Sequence, residues 1–386
     1  MEFKMMRSFL PIGQGAFYCE RFEIDKETIN IVYDCGSKRP KLVKKQIERL
    51  FCKNEKIDVV FISHLHDDHI SGLKYLLEYC KVDWLVLPLM HEPDIKITLA
   101  YNWLSNANLD EFTRSFIADP QKALNDNSYS TKICWVREAE DNQSEDDISI
   151  NDPDFNRENS TITVNSGENI LNKLGINIPK NLWVYIPFNF REKDRIKDLS
   201  MELEKCGVFD INEKNILELW QEGNKDMLQK IKETYEKLPG SLNINSMIVY
   251  SGEEKGEYEY EQYFINSYYY MFLNYAYYKF FPKITRSGCL YTGDYDASDD
   301  KWQQLTEKYT EYWENIGCIQ VPHHGSKDSY NCDISQKRNS FFVISAGETN
   351  QYNHPHYSVI MNLLFNHCYP FIVTENFRSM IRFMIK

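Results

Sequence analysis

Along the first ninety residues, short apolar runs alternate with amphipathic stretches. FYCERFEI (17–24) and INIVYDCGS (29–37) combine β-branched and aromatic residues between turn formers, the pattern of a hairpin pair of strands. Lys41 to Leu50 reads as a short helix. IDVVFIS (57–63) is an apolar run of strand length. Behind it Leu73, Leu76, Leu77 and Cys80 fall at helical spacing, one apolar face of a helix starting near Ile70. VDWLVLPL (82–89) is the next strand. Strand, loop, helix and strand in this order predict an α/β layered fold.

From residue 92 the pattern loosens. Residues 138–158 are acidic and nearly free of large apolar side chains, which predicts an exposed loop or unstructured link and an early site of proteolysis. Residues 193–238 are rich in Lys, Glu and Leu and read as helical. The chain therefore divides into 1–91, a first part of the fold; 92–240, a large insertion acting as lid or partner-binding element; and 241–386, a second part. In that second part SMIVYSG (246–252), CLYTGDYD (289–296), GCIQVPHHG (317–325), FFVISAG (341–347) and PFIVTEN (370–376) read as strands. Tyr and Phe crowd 257–281, which predicts an amphipathic helix on the core or an oligomer interface, with a base-stacking platform as the alternative.

Composition is that of a folded protein, with 42% hydrophobic and 26% charged residues in a chain of 386. No apolar stretch approaches the length that spans a bilayer, and the N-terminus lacks the apolar core of a secretory signal. Ten cysteines without a CxxC pair read as mostly buried thiols. The expected location is the cytoplasm. A net charge of −13 argues against gripping long duplex DNA by a basic surface alone, yet a metal pair would bring its own positive charge to one spot.

The histidines carry the chemistry. There are nine, and seven fall in three clusters: His64, His66 and His69; His323 and His324; His354 and His356. Ser63-His64-Leu65-His66-Asp67-Asp68-His69 directly follows a buried strand, where α/β sheets place their sites. Alternate residues His64 and His66 can serve one ion, and Asp68 with His69 a second. Imidazole and carboxylate without thiolate suit a catalytic rather than a closed structural site.

This HxHxDH segment resembles the hallmark of the metallo-β-lactamase superfamily. Asp34 in VYDCGS is similar to the family's early aspartate, which supports the metal loop, and Asp294 in YTGDYD to the carboxylate that bridges two ions. Within the superfamily the order of motifs is most similar to the soluble hydrolase domain of the DNA-internalisation competence protein. The motifs are Ile12-Gly13-Gln14-Gly15, the histidine loop, Asn245-Ser246-Met247-Ile248-Val249, Thr292-Gly293-Asp294, Pro322-His323-His324-Gly325-Ser326, and Ser345-Ala346-Gly347 leading to Asn350, Tyr352 and His354-Pro355-His356. The double-histidine segment is also similar to one in bacterial phosphorylcholine esterases. The resemblance covers 1–90 and 241–386, and the competence protein's membrane channel has no counterpart here. His91 is the one candidate by count for the family's third-motif histidine, and reads better as a surface or packing residue.

The resemblance implies a four-layer αββα sandwich holding two divalent ions, zinc or manganese before iron. His64, His66 and one of His323 and His324, with His324 favoured, would hold the first. Asp68, His69 and His354 would hold the second, with Asp294 between them. His323 and His356 are the expected catalytic partners of Asp68 and Asp294, orienting substrate or protonating a leaving oxygen, and Ser326 reads as a turn cap before a phosphate donor. The expected function is a phosphodiesterase or nuclease acting on nucleic acid or nucleotides, with a bacterial defence role among its settings. The alternatives are a hydrolase of non-phosphate esters or lactones, and a scaffold subunit whose insertion docks a protein partner. No membrane partner is expected.

Overall fold

The structure, a computed structural model, describes residues 3–91, 94–95, 98–99, 101–102, 110–139, 161–179, 181–205, 233–234, 245–254, 262–264 and 286–386. β1 (Phe3–Phe9), β2 (Gly15–Ile24) and β3 (Glu27–Ser37) form an antiparallel meander, the last two being the hairpin that the sequence pattern predicts. α1 (Pro40–Leu50) begins on a proline, whose missing N–H costs little in a first turn, and buries Val43 and Ile47. β4 (Lys56–Phe61) then pairs in parallel with β3. The short α2 (Asp67–Ile70), α3 (Leu73–Tyr79) and β5 (Lys81–Pro88) follow, with Leu73, Leu76 and Leu77 buried as the periodicity requires.

Of the range 92–240, described parts belong to the same architecture. α4 (Glu111–Ala118) and α5 (Pro120–Asp126) turn Phe112, Phe116 and Leu124 into the core beside β5. β6 (Lys132–Val136) and β7 (Thr161–Val164) continue the first sheet in parallel beyond β5. β8 (Val184–Arg191) pairs along its whole length with β9 (Asn245–Gly252). Over 110–136 and 161–191, then, the expected insertion is layer rather than lid. KICWV and VYIPFNFR are short strands whose apolar signal is diluted by the polar loops around them. Of 193–238, the structure describes α6 (Lys193–Lys205) and residues 233–234. Residues 140–158 of the acidic stretch, and the Tyr-rich stretch apart from β10 (Gln262–Phe264), lie outside the described residues.

β11 (Gly288–Tyr291), α7 (Lys301–Lys308), β12 (Ile316–Gln320), β13 (Phe341–Ser345), α8 (Tyr357–Phe365), β14 (Tyr369–Val373) and β15 (Ile381–Ile385) complete the chain. Among the described residues the strands form a nine-stranded sheet, β10-β15-β1-β2-β3-β4-β5-β6-β7, and a six-stranded sheet, β14-β13-β12-β11-β9-β8. The sheets lie face to face, with Phe9, Tyr18, Phe61, Tyr185, Val249, Tyr291 and Val343 between them. On the outer face of the first sheet, Val60 and Leu85 meet α1, α3, α4 and α5. Outside the second, Ile248 and Ile344 meet α7 and α8 through Trp302, Leu305, Val359 and Leu363. The layers are αββα. Most of the described cysteines are buried thiols, Cys52 and Cys332 being exposed. Among the described residues no helix is long and apolar enough to cross a membrane.

An ion pair is sealed inside this inter-sheet core. Arg7 Nε lies 2.6 Å from Glu20 Oε1, and the two side chains are 0% and 2% exposed. Arg7 also donates to Ser287 O, and Glu20 accepts from the hydroxyls of Tyr291, Ser251 and Tyr185. Burying two charges is tolerable only when their remaining hydrogen-bonding capacity is met, as it is here.

Candidate metal centre

Both sheets deliver their functional loops to one end of the sandwich. β4 ends at Phe61 and releases Ser63–His69; β11 releases Thr292–Asp294; β12 releases Pro322–Gly325; β13 releases the loop that carries His354. Two contacts tie the sheets together at this edge. Met247 N–H donates to Ser63 O (2.8 Å), and the Tyr33 hydroxyl donates to Met247 O (2.8 Å). Gly293 sits at φ +55, and a Cβ there would lie 2.6 Å from Ser63 Cβ, so glycine lets the Asp294 turn close onto the histidine loop.

Asp294 is the centre of the arrangement. Its Oδ1 faces His69 Nε2 (3.2 Å) and His324 Nε2 (3.4 Å). Its Oδ2 faces His323 Nε2 (3.7 Å) and His64 Nε2 (3.9 Å). His324 Nε2 is also 3.6 Å from Asp68 Oδ2, and one ligand atom from each of Asp68, His69, Asp294 and His324 falls within 4.8 Å of the others. The grouping differs from the expected one. His324 stands with Asp68 and His69, in the place assigned to His354, and His323 is the member of its pair nearer the His64 side. The cause is local backbone: both residues adopt left-handed φ (47° and 55°), which points consecutive rings to opposite oxygens of one carboxylate.

Hydrogen bonds behind the rings fix which nitrogen faces inward. Asp34 Oδ2 meets His69 Nδ1 at 2.7 Å and accepts from the Ser63 hydroxyl at 2.8 Å, while its Oδ1 accepts from Ser63 N–H. Ser63 Oγ also meets His64 Nδ1 (2.9 Å). His324 Nδ1 donates to Ser345 O (2.8 Å), and His323 Nδ1 meets Ser329 Oγ (2.9 Å). Each Nδ1 is occupied from outside, so each Nε2 is presented to the centre. His66 stacks on Tyr101 at 4.0 Å between ring centroids.

The charge balance points the same way. Burial alone would raise the carboxyl of Asp294, but His324, His69 and His323 outweigh it and hold it well below the usual carboxylate range. Asp68 is held low likewise: burial opposes, and Lys38, His324 and His69 prevail. Burial would lower His69 and His324; Asp294 with Asp34 raises the first, and Asp294 with Asp68 the second. Burial drives His66 down to about 3, and burial with His324 and His323 nearby takes His354 down to about 4. Ionised carboxylates sealed from water require positive charge beside them. The inward Nε2 atoms of His64, His69 and His324 are buried and make no hydrogen bond among the described residues. Imidazole nitrogens and carboxylates aimed at a common centre are the donor set of a divalent metal site, an ion taking the place of the protons that His69 and His324 would otherwise hold, and the residues fit one.

The remaining predicted residues divide. His354 lies beside the centre, its ring 5.8 Å from that of His323 and 6.4 Å from that of His324, and its Nδ1 is buried without a hydrogen bond among the described residues. His356 caps α8, its Nδ1 accepting from Ser358 N–H. Ser326 is buried, and its hydroxyl accepts from Asp328 N–H, a turn contact. His91 stands outside the group, its N–H donating to Asp94. Three residues of the site escape sequence reading: Ser63, Tyr101, and Lys38, which pairs with Asp67 and lies 3.7 Å from Asp68. Ser63 could have been suspected as the residue entering the histidine loop. Tyr101 and Lys38 leave no signal.

The histidine loop, the aspartate behind it and the strands that carry them form one contiguous stretch. Residues 22–95 match the family model of the metallo-beta-lactamase superfamily. That match holds Asp34, His64, His66, Asp68 and His69, and the αββα layering is the metallo-beta-lactamase sandwich. Among solved structures the chain is similar to the metallo-beta-lactamase fold protein YhfI from Bacillus subtilis, at 9% identity, with 98% of this chain and 99% of that one covered and a TM-score of 0.40. A likeness that slight adds nothing to the reading of the site. No curated protein matches the chain.

Proposed function

We propose that the protein is a dinuclear metal-dependent hydrolase of phosphodiesters in nucleic acid or nucleotides. The observation that supports it most is the division of Asp294: one oxygen among Asp68, His69 and His324, the other toward His64 and His323. A carboxylate placed so can screen the repulsion between two cations about 3.5–4 Å apart. His64 and His66, with His323 on the same side, would hold one divalent ion, zinc or manganese; Asp68, His69 and His324 would hold the other. Divalent ions supply Lewis acidity there, making water more acidic and offsetting charge that develops on a phosphoryl group.

The chain's own residues do the rest. Asp34 and Ser63 lock the ring orientations of His69 and His64. His323, a quarter exposed where His64, His69 and His324 are sealed, faces the open side and is placed to orient substrate or exchange a proton with it at Nε2. The phosphodiester class rests on the motif order shared with the competence-protein hydrolase domain. Elemental analysis of purified protein should find close to two zinc, manganese or iron ions per chain, and the His64→Ala, His66→Ala double variant should lose at least one. Bis(p-nitrophenyl) phosphate, single-stranded and duplex DNA, RNA and cyclic nucleotides form the substrate panel. A stably folded protein that holds no metal and cannot be reconstituted would sink the proposal, and a metal-loaded protein inert toward the whole panel would sink its phosphodiester half.

A further inference from the structure

Behind four of the imidazoles at the centre stands a hydrogen bond. Ser63 Oγ meets His64 Nδ1, Asp34 Oδ2 meets His69 Nδ1, Ser345 O accepts from His324 Nδ1, and Ser329 Oγ meets His323 Nδ1. His66 is different. It is 4% exposed, yet its side chain has no hydrogen bond or ion pair among the described residues. The torsion that sets the plane of an imidazole is broad and roughly two-fold, so a ligand ring without a hydrogen bond needs another hold.

Tyr101 supplies it. Its ring lies 4.0 Å from that of His66 at an interplanar angle of 28°, a stacked pair, while His64 meets His66 edge-on at 4.5 Å and 78°. A stack confines the plane of the ring and leaves both nitrogens unoccupied, which a hydrogen bond cannot do. The tyrosine is fixed in turn. It packs against the apolar layer outside the first sheet, in which Leu99 is buried. Its neighbour Asn102 is fully buried and donates from Nδ2 to Leu65 O (2.7 Å) and to Thr98 O (2.9 Å). The Leu65 carbonyl belongs to the peptide that leads into His66. Two consecutive residues therefore grip one ligand, Asn102 by its backbone and Tyr101 by its ring.

We infer that Tyr101 is the positioning residue of His66, its aromatic face replacing the hydrogen bond that orients each of the other four imidazoles. Asn102 sets the tyrosine against the histidine loop. The ion on the side of His64 and His66 then depends on a side chain that lies far outside the HxHxDH motif, and the ion beside Asp68, His69 and His324 does not. This rests on the dinuclear reading above and adds to it what holds one of the two ions. The ring carries the effect, not the hydroxyl, so phenylalanine should serve as well as tyrosine.

The test is a calorimetric zinc titration of the full-length protein after its metal has been stripped by a chelator. The unsubstituted protein should take up two zinc ions. Tyr101→Leu, which keeps apolar bulk and removes the ring, should bind one of them about tenfold or more weakly and the other unchanged, the scale on which ligand-orienting contacts act. Tyr101→Phe should restore both affinities. A merely structural role would lower the melting temperature of Tyr101→Leu and leave the two zinc affinities in their original ratio, which overturns the inference; so does a Tyr101→Phe protein that behaves like Tyr101→Leu. Should Tyr101→Leu fail to fold, the unsubstituted protein still decides. With its histidines labelled with carbon-13, the His66 ring protons, assigned by their absence from His66→Gln, should resonate upfield of a free imidazole because they lie over the tyrosine face; signals at the free position overturn the inference. Two zinc ions bound alike by Tyr101→Leu and the unsubstituted protein remove the inference and leave the dinuclear reading standing. Fewer than two in the unsubstituted protein fail the dinuclear reading whatever the variants do. With one, the comparison of Tyr101→Leu and Tyr101→Phe still decides the role of the ring, and with none the inference falls too.

Discussion

Asp294 is the residue on which the site turns, because its two oxygens serve two sets of imidazoles. Asp294→Asn keeps the size and most of the hydrogen bonding but removes the charge that would offset two cations. The variant should fold and lose hydrolysis by about a hundredfold or more, a loss on the scale of other transition-state charge contacts. Unchanged turnover on bis(p-nitrophenyl) phosphate would show that the carboxylate bridges nothing. The HxHxDH spacing and the TGD turn made most of this centre legible, since they place imidazoles and carboxylates at strand ends where little else explains them. The pairing of His324 with Asp68 and His69 was not legible. It follows from two successive left-handed residues, and backbone sign is invisible in the string His323-His324. The capping of α8 by His356 was likewise invisible in the spacing, since a capping imidazole shows only when the helix is seen.

At the level of elements, the strands that could be read were those whose apolar runs are unbroken, such as β4, β5, β9 and β13. β1 and β15 could not. FKMMRSF carries Arg7 in the middle of a core strand, and a pattern reading sends arginine to solvent; only Glu20 on the neighbouring strand makes that position tenable. Glu20→Gln should therefore lower unfolding free energy by about 3–5 kcal/mol, because it leaves a buried guanidinium without its counter-charge. Urea denaturation would measure it, and a change under about 1 kcal/mol, the scale of an exposed pair, would mean the pair is solvated after all. A second element-level prediction concerns the close pass of β3 over α2. A Cβ on Gly36 would lie 2.3 Å from the backbone carbon of His69, so nothing larger than glycine fits. Gly36→Ala should cost about 1–3 kcal/mol through overpacking. It should also shift α2 and weaken metal retention, whereas a variant with wild-type melting temperature and metal content would contradict the geometry.

For the molecule as a whole, the buried and half-buried histidines of the site make stability depend on pH when any metal is stripped by a chelator. His66 and His354 titrate near 3 and 4 in the fold, against about 6.5 in an unfolded chain. Between those values the unfolded chain binds more protons, so this contribution is complete above about pH 6.5 and is lost as the pH falls toward 4 and below. His69 and His324, raised by their carboxylates, contribute with the opposite sign: fully below about 6.5, and less as the pH rises through their folded values. His66→Gln removes one depressed group, so urea midpoints recorded from about pH 6.5 down to about 4 should fall less steeply than in the unsubstituted protein; parallel slopes would show that His66 does not stay neutral.

The two contacts that fasten the sheets at the site, from Met247 to Ser63 and from Tyr33 to Met247, bind the beginning of the chain to its second half. Asp68 and His69 leave the ribosome long before Asp294 and His324. During synthesis the early histidine loop is a lone half-site on a sheet whose inner face, Phe9, Tyr18 and Phe61, still lacks its cover. Domains emerge at about 5–20 residues per second, and contacts this distant in sequence form late. If the centre holds metal as proposed, its full ligand set exists only once the second half has been made, and a nascent chain stopped before residue 294 would carry the first ligands without Asp294 and His324.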